Sequence, residues 1–293
     1  MTETIEFTKA SGAGNDFVLL NNMNGQVIGD RTSLAKALCS RNSGIGADGL
    51  ILLEKSDRAD FLMTYYNADG SYGGMCGNGG RCVARFAHIL GLVAAEMHFE
   101  ALDHVYRAQV NGETVRLHMK DPVNLKENLD FTVSLAKFQG HSIDTGSPHL
   151  VLFVDEIIQI DVVTLGANLR RHEQFQPLGT NVNFVKVISS KSVEIRTYER
   201  GVEAETLACG TGSVASAIVS SLTKGTQPPV AVKVRSGEEL IVDFRRTRKQ
   251  FTEVVLEGSA HMVFSGSLQY DLDRHRIRDA APMIASSQLM SFG

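Results

Sequence analysis

The chain has 293 residues, 43% of them hydrophobic and 21% charged, with 27 glycines, 6 prolines and a formal net charge of −4. That length allows two ordinary domains, and the composition excludes disorder, collagen and low-complexity repeats. Without a basic excess, nucleic acid is not an expected partner, and without a run of about 18 apolar residues no membrane-spanning helix is expected.

The start, "MTETIEFTKA", lacks a basic region followed by an apolar core, so no signal peptide is expected. A glycine-bearing loop, "SGAGND", leads into an apolar strand over 16–20. A helical stretch follows over 31–41, then strands over 49–54 and, alternating, over 60–67. A polar loop reaches "MCGNGGRCVARF" (75–86), where a cysteine and three glycines open a helix. "HFEAL" (98–102) alternates, and "VYRAQV-NG-ETVRLHM" predicts a hairpin with an Asn-Gly turn. "KDPVNLKEN" (120–128), polar and holding Pro122, marks a domain boundary.

The pattern then repeats. Strands are predicted over 150–154, 182–188 and 192–199 and a helix over 162–172; "ACGTGSVASAIV" (208–219) again sets a cysteine before a glycine-rich helix start. "VKVRSGEELIVDF" and "TEVVLEGSAHMVF" close the second half as alternating strands. Cys76 and Cys209 lie 133 residues apart, and sliding the chain on itself by 133–134 also sets "SGAGNDFVLL" on "TGSPHLVLFV", "GADGLILLE" on "TNVNFVKVI", "TYYN" on "TYER" and "HFEAL" on "AVKVR". The expected fold is α+β: two pseudo-symmetric domains, strands wrapped about a central helix in each, with the site in the cleft between them. Residues 1–122, optionally completed by 265–278, form the first domain and 123–264 the second; 279–293 is a weakly periodic tail.

A helix start offers unpaired N–H groups and the positive end of the dipole. A cysteine there is expected to have its pKa lowered from about 8.5 toward neutrality, and the same N–H groups can hold a carboxylate. Two such starts, face to face, would put one thiol on each side of the carbon next to that carboxylate. One thiolate would remove the α-proton and the other thiol would return a proton to the opposite face, a racemisation or epimerisation by acid–base catalysis. Backbone donors would meet the developing enediolate, an effect worth roughly 3–4 kcal/mol per donor elsewhere. Cys82, with Ala215 at the matching place, and Cys39 in "LAKALC" read as core. Four cysteines are too few for a disulfide framework at this length and suit a reducing cytoplasm. "CGTGSVA" lacks the acidic residue of a dinucleotide site, and Cys76, Cys82 and Cys209 lack zinc-site spacing, so no metal is expected.

"SGAGNDFV", "NADGS", "CGNGGRC", "GTNVNFV", "YERG" and "ETLACGTGS", spread from residue 9 to about 263, together resemble the diaminopimelate epimerase family. The resemblance implies a cofactor-independent isomerase of lysine biosynthesis, cytoplasmic and homodimeric, that interconverts LL- and meso-diaminopimelate with Cys76 and Cys209 as acid and base. It implies that Gly77, Asn78, Gly210 and Thr211 serve the reacting carboxylate. Asn15, Asn67, Asn181, Glu199 and Arg200 would line the substrate site, and His149 and Glu199 would tune the thiols. Taken alone, Asn15 and Asn67 also read as turn residues, His149 as a surface histidine and Glu199–Arg200 as a solvated pair. Ser147 stands where the family has Asn before Pro-His, which suggests a bridging water, and "YERGVEAET" carries one residue more than the usual link. Two other readings stay open: a related two-cysteine racemase of the proline racemase kind, or a non-catalytic, redox-responsive binding protein.

Overall fold

The computed structural model describes residues 1–278 apart from positions 28, 134 and 249; the tail expected over 279–293 lies outside the described residues. The first half of the chain forms β1 (Thr2–Gly12), β2 (Asn15–Asn21), α1 (Arg31–Cys39), β3 (Gly49–Glu54), β4 (Phe61–Asn67), α2 (Gly77–Ile89), β5 (Glu96–Ala101), β6 (His104–Asn111) and β7 (Thr114–His118). Next come β8 (Val123–Val133), β9 (Ala136–Asp144), β10 (Pro148–Phe153), α3 (Val162–Arg170), β11 (Asn181–Ser189), β12 (Ser192–Glu199), β13 (Ala204–Thr206) and α4 (Gly210–Thr223). The described chain ends with β14 (Val230–Lys233), β15 (Glu239–Thr247), β16 (Gln250–Ser259), β17 (His261–Asp271) and β18 (Arg276–Ile277). The fold is α+β, as the strand-rich pattern predicts.

The internal repeat is visible in the pairing. β2 and β3 are parallel, as are β10 and β11; β4 and β5 are parallel, as are β12 and β14. One hydrogen-bonded path runs β1 to β7 in the first half, crosses at the antiparallel β7–β16 pair, and continues through β15, β14, β12, β11 and β10 to β9. Each half is completed by a strand that follows the other half in sequence. β8 leaves β7 and pairs with β9, whereas β17 leaves β16 and pairs with β1.

Two local expectations need correction. "TEVVLEGSAHMVF" is not one strand: it breaks at Ala260, because β16 stays on β15 and β7 while β17 crosses to β1. The polar stretch from Val123 is not a connection but the start of β8. Its inward positions, Leu125, Glu127, Leu129 and Phe131, do alternate, but Glu127 interrupts the apolar series that would have revealed it.

α2 and α4 are buried through most of their length, which suits helices of small and apolar residues enclosed by strands. α2 packs on β1, β2, β6 and β7; α4 packs on β10, β11, β12 and β16. α1 and α3 cover the outer faces, each started by an aspartate N-cap, Asp30 accepting from the Ser33 N–H and Asp161 from the Thr164 N–H. Cys39 and Cys82 are enclosed in the cores, Cys82 beneath the β1–β2 turn, where a Cβ on Gly12 would lie 3.1 Å from its sulfur. Among the described residues no helix is long and apolar enough to cross a membrane.

Candidate active site

The two cysteines are the N-caps of the two central helices. Cys76 (φ −120°, ψ 122°) and Cys209 (φ −123°, ψ 111°) are both extended, so each chain turns into its helix directly after the sulfur-bearing residue. Cys76 Sγ accepts from the Gly79 N–H at 3.5 Å. The helix starts touch through glycine. A Cβ on Gly77 would lie 4.0 Å from the Gly210 Cα, and one on Gly210 would lie 3.7 Å from the Gly77 Cα. Leu256 of β16 underlies both, with its Cδ2 at 3.2 Å and 3.0 Å from those two positions. A Cβ at either glycine would press first on Leu256 and would stand in ordinary contact with the opposite glycine.

On the Cys209 side, a relay with a fixed direction leads to the sulfur. The Asn183 amide Nδ2 donates to the Leu150 carbonyl at 3.0 Å, which fixes its orientation, and also to His149 Nδ1 at 3.1 Å. Its Oδ1 accepts from the Thr197 hydroxyl at 3.0 Å. With Nδ1 as acceptor, the proton of a neutral imidazole sits on Nε2. Nε2 is 2.9 Å from Thr211 Oγ1 and 3.1 Å from Ser147 Oγ. The Thr211 hydroxyl, accepting from the imidazole, has its own hydrogen for Cys209 Sγ at 3.6 Å. Ser147 also accepts directly from Asn181 Nδ2 at 3.1 Å. Asn181 Oδ1 accepts the Arg200 backbone N–H at 2.9 Å, which ties the "YERG" turn to the site. Within that turn Glu203 takes a left-handed φ of 58°.

On the Cys76 side the corresponding positions carry amides. Asn78 Nδ2 donates to Asn15 Oδ1 at 2.6 Å, and Asn15 Nδ2 donates to Asp48 Oδ2 at 3.0 Å. Asp48 belongs to a charged cluster with Arg41, Asp16 and Lys9. Asn78 Oδ1 accepts from the buried Arg81 guanidinium at 3.0 Å. Asn67 stands apart from this group: its amide donates to Ser71 Oγ within its own turn.

Protonation corrects one expectation. Burial is the largest influence on both thiols and pushes both up, Cys209 well above the ordinary thiol value. Glu199 adds to the rise at each, while the helix-start N–H groups pull the other way without prevailing. The expected lowering toward neutrality is therefore overturned by desolvation. Glu199 is itself raised by burial, against hydrogen bonds from the Thr206 hydroxyl and Cys209. His149 is wholly buried, not on the surface, and burial together with the Arg200 charge pushes it down to about 3, so it is neutral. The thiols of Cys39 and Cys82 are pushed up to about 12 by burial. Among the described residues no cluster of three or more His, Cys, Asp or Glu side chains is placed to hold a metal.

Two residues here escaped the sequence reading. Asn183 had a signal, since it lies two places after Asn181 and so shares its face of β11. Arg81 had none, because a buried arginine in a helix is the rare outcome for that residue type.

Comparison with known proteins gives the arrangement its relatives. The family model described as "Diaminopimelate epimerase" matches residues 7–125 and 141–263. A protein named diaminopimelate epimerase from Chlorobaculum tepidum is 47% identical over 262 residues, covering 88% of this chain and 99% of its own. One of the same name from Aquifex aeolicus is 42% identical over 281 residues, covering 92% and 99%. Among solved structures, a PhzF-family phenazine biosynthesis protein from Bacillus anthracis superposes with a TM-score of 0.70 at 13% identity, covering 91% of this chain and 99% of that one. A hydroxyproline epimerase from Agrobacterium vitis also gives 0.70, at 14% identity and 92% and 93% coverage. At such identities these two share the fold alone. By its sequence, the chain belongs to the diaminopimelate epimerase family.

Proposed function

We propose that the protein interconverts LL- and meso-2,6-diaminopimelate without a cofactor, Cys76 and Cys209 acting as the acid–base pair. The observation that carries this reading is the meeting of the two cysteine-capped helix starts at Gly77 and Gly210. A substrate carboxylate at that junction would receive the N–H groups of both starts. One sulfur, as thiolate, takes the proton from the α-carbon. The electron pair left on carbon spreads into the carboxylate, where the backbone donors meet it. The other sulfur, as thiol, gives its proton to the opposite face. The configuration inverts, and thiol and thiolate have exchanged places; protons traded with solvent reset the pair.

Asn78 and Thr211 would orient this end of the substrate, with Asn15 lining the site beside Asn78. Asn67, Asn181, Glu199 and Arg200 would hold the distal ammonium and carboxylate, for which an arginine and amide donors are chemically suited. His149 acts through Thr211 and Glu199 at close quarters to set the thiols. The reading includes a cytoplasmic homodimer, a place in lysine biosynthesis and a two-domain division at about residue 122, with 265–278 counted in the first domain. The pairing of β17 with β1 supports that assignment. The proline racemase-like and redox-regulator alternatives are not favoured, since the relatives of 37–47% identity carry the epimerase name.

The test is turnover of LL-diaminopimelate by purified protein without pyridoxal phosphate or added metal, beside L-proline. Epimerisation of the first alone is expected. Racemisation of proline with no action on diaminopimelate would overturn the substrate assignment.

A further inference from the structure

Arg81 is wholly buried, the largest side chain among the described residues to be so. Its partners are all neutral: Asn78 Oδ1 at 3.0 Å, the Gly77 carbonyl at 3.4 Å and the Ser259 carbonyl at 3.5 Å. Among the described residues it makes no ion pair; the carboxylate it senses, Glu238, is engaged by the Ser259 hydroxyl. A cation left this way carries a desolvation cost that an apolar residue of similar volume would avoid. The matching place in α4 holds Val214, also fully buried, so the repeated frame does not require a charge there. The glycine beside Arg81, Gly258 of β16, makes room for the Leu240 side chain and the guanidinium together. A Cβ on Gly258 of β16 would lie 3.2 Å from Arg81 Nε and 3.3 Å from its Cζ.

The hydrogen bonds have one direction. Arg81 donates to Asn78, Asn78 to Asn15, and Asn15 to Asp48, so two amides are lined up between a cation and a carboxylate. We propose that Arg81 is a positioning residue of the Cys76 helix start, locking the Asn78 amide and supplying a fixed positive charge that favours the thiolate at Cys76 over that at Cys209. This rests on the two-thiol reading given above. The groups facing Cys76 are Glu199 from β12, Tyr65 from β4, Cys209 at the start of α4, and Arg81 and Cys82 from α2 itself. Of these, Arg81 alone is a cation. Those facing Arg81 are Cys76, Cys82 and Glu238. The ionisable groups that weigh most on Cys209 are Glu199 and Cys76, and neither is a cation.

The test reads the thiolate without any substrate, so failure of the diaminopimelate assignment would leave its result intact. In full-length protein carrying Cys209→Ser, the rate of iodoacetamide alkylation at Cys76 is followed against pH, the site being identified by mass spectrometry. Arg81→Gln should move the curve up by about one pH unit, slowing alkylation near neutrality about tenfold. Arg81→Lys keeps the charge and should stay within about twofold. In a Cys76→Ser chain, Arg81→Gln should leave the Cys209 curve in place. A purely structural arginine predicts the reverse, faster alkylation of both thiols as the site loosens. Unchanged or faster Cys76 alkylation in Arg81→Gln would overturn the proposal. Should that variant not fold, Arg81→Met, which removes the charge and keeps a long side chain, takes its place: the same upward shift is expected, and an unshifted curve defeats the proposal.

Discussion

The two helix starts share one backbone frame and differ in what stands behind it. Two residues beyond Cys209, Thr211 meets the imidazole of His149; two residues beyond Cys76, Asn78 meets the amide of Asn15. Asn15 and His149 are themselves matched by the repeat, each three residues past a paired glycine, Gly12 or Gly146. The Cys209 relay is uncharged up to the sulfur, and Glu199 presses its carboxylate on the thiol. The Cys76 relay has a cation at its inner end and a carboxylate at its outer end. Pseudo-symmetry brings the two cysteine-capped helix starts together at Gly77 and Gly210, the geometry that the two-thiol reading uses for inversion at carbon. The departures from it surround the two sulfurs with unlike groups, and on the two-thiol reading one sulfur must begin as base and the other as acid.

Removing either sulfur attacks the comparison most severely. Cys76→Ala and Cys209→Ala should each lower epimerisation about a thousandfold or more, measured as conversion of LL- to meso-diaminopimelate. Retention of full activity by either would break the pairing. Next in size, Thr211→Val cuts the link between His149 and Cys209 and keeps the side-chain volume. It should reduce kcat about tenfold with a smaller effect on KM, steady-state kinetics being the check.

The third prediction concerns pH. Folded His149 is pushed to about 3 from an ordinary 6.5, so between those values the unfolded chain binds more protons than the native one. Native stability from this group is complete above about pH 6.5 and falls as the pH drops, by about 1.4 kcal/mol per unit once well below that value. Urea unfolding of His149→Asn at pH 7.5 and 5 should show a smaller loss on acidification than the parent. The smallest effect is expected at Cys82, which lacks a matching cysteine. Cys82→Ala should cost about 1 kcal/mol of stability and leave kcat within a factor of about two.

The parts of this molecule that could be read in the sequence are those written locally. The glycine-rich helix starts, the Asn-Gly hairpin and the alternating runs of β4 and β12 depend on neighbours within a few residues. The exchange of β8 and β17 between halves depends on distant surfaces, so the sequence suggested the division at residue 122 and the return of 265–278 but not the strand partners. β8 was further hidden by Glu127 among its inward positions. At the site, "CGNGG" and "ACGTG" announced anion-binding starts, yet the thiols are raised because burial is a property of the assembled halves and not of a helix turn. The tuning groups behaved likewise. His149 looked like a surface residue beside Pro148, and only the closing of α4 over β10 and β11 encloses it. Asn183 could have been found through its period-two relation to Asn181, whereas nothing in the sequence of α2 marked Arg81 as buried.

The central claim is that the two sulfurs work on opposite faces, and the distribution of solvent deuterium tests it most directly. LL-diaminopimelate is converted in D₂O to low extent, and product and recovered substrate are separated and analysed by mass spectrometry. Two thiols predict one deuterium at the inverted carbon of the product and almost none in the recovered substrate, because the proton taken by one sulfur is not the one delivered by the other. Equal deuterium in substrate and product, or transfer of the original hydrogen into the product, would mean that a single base serves both faces and would contradict the account.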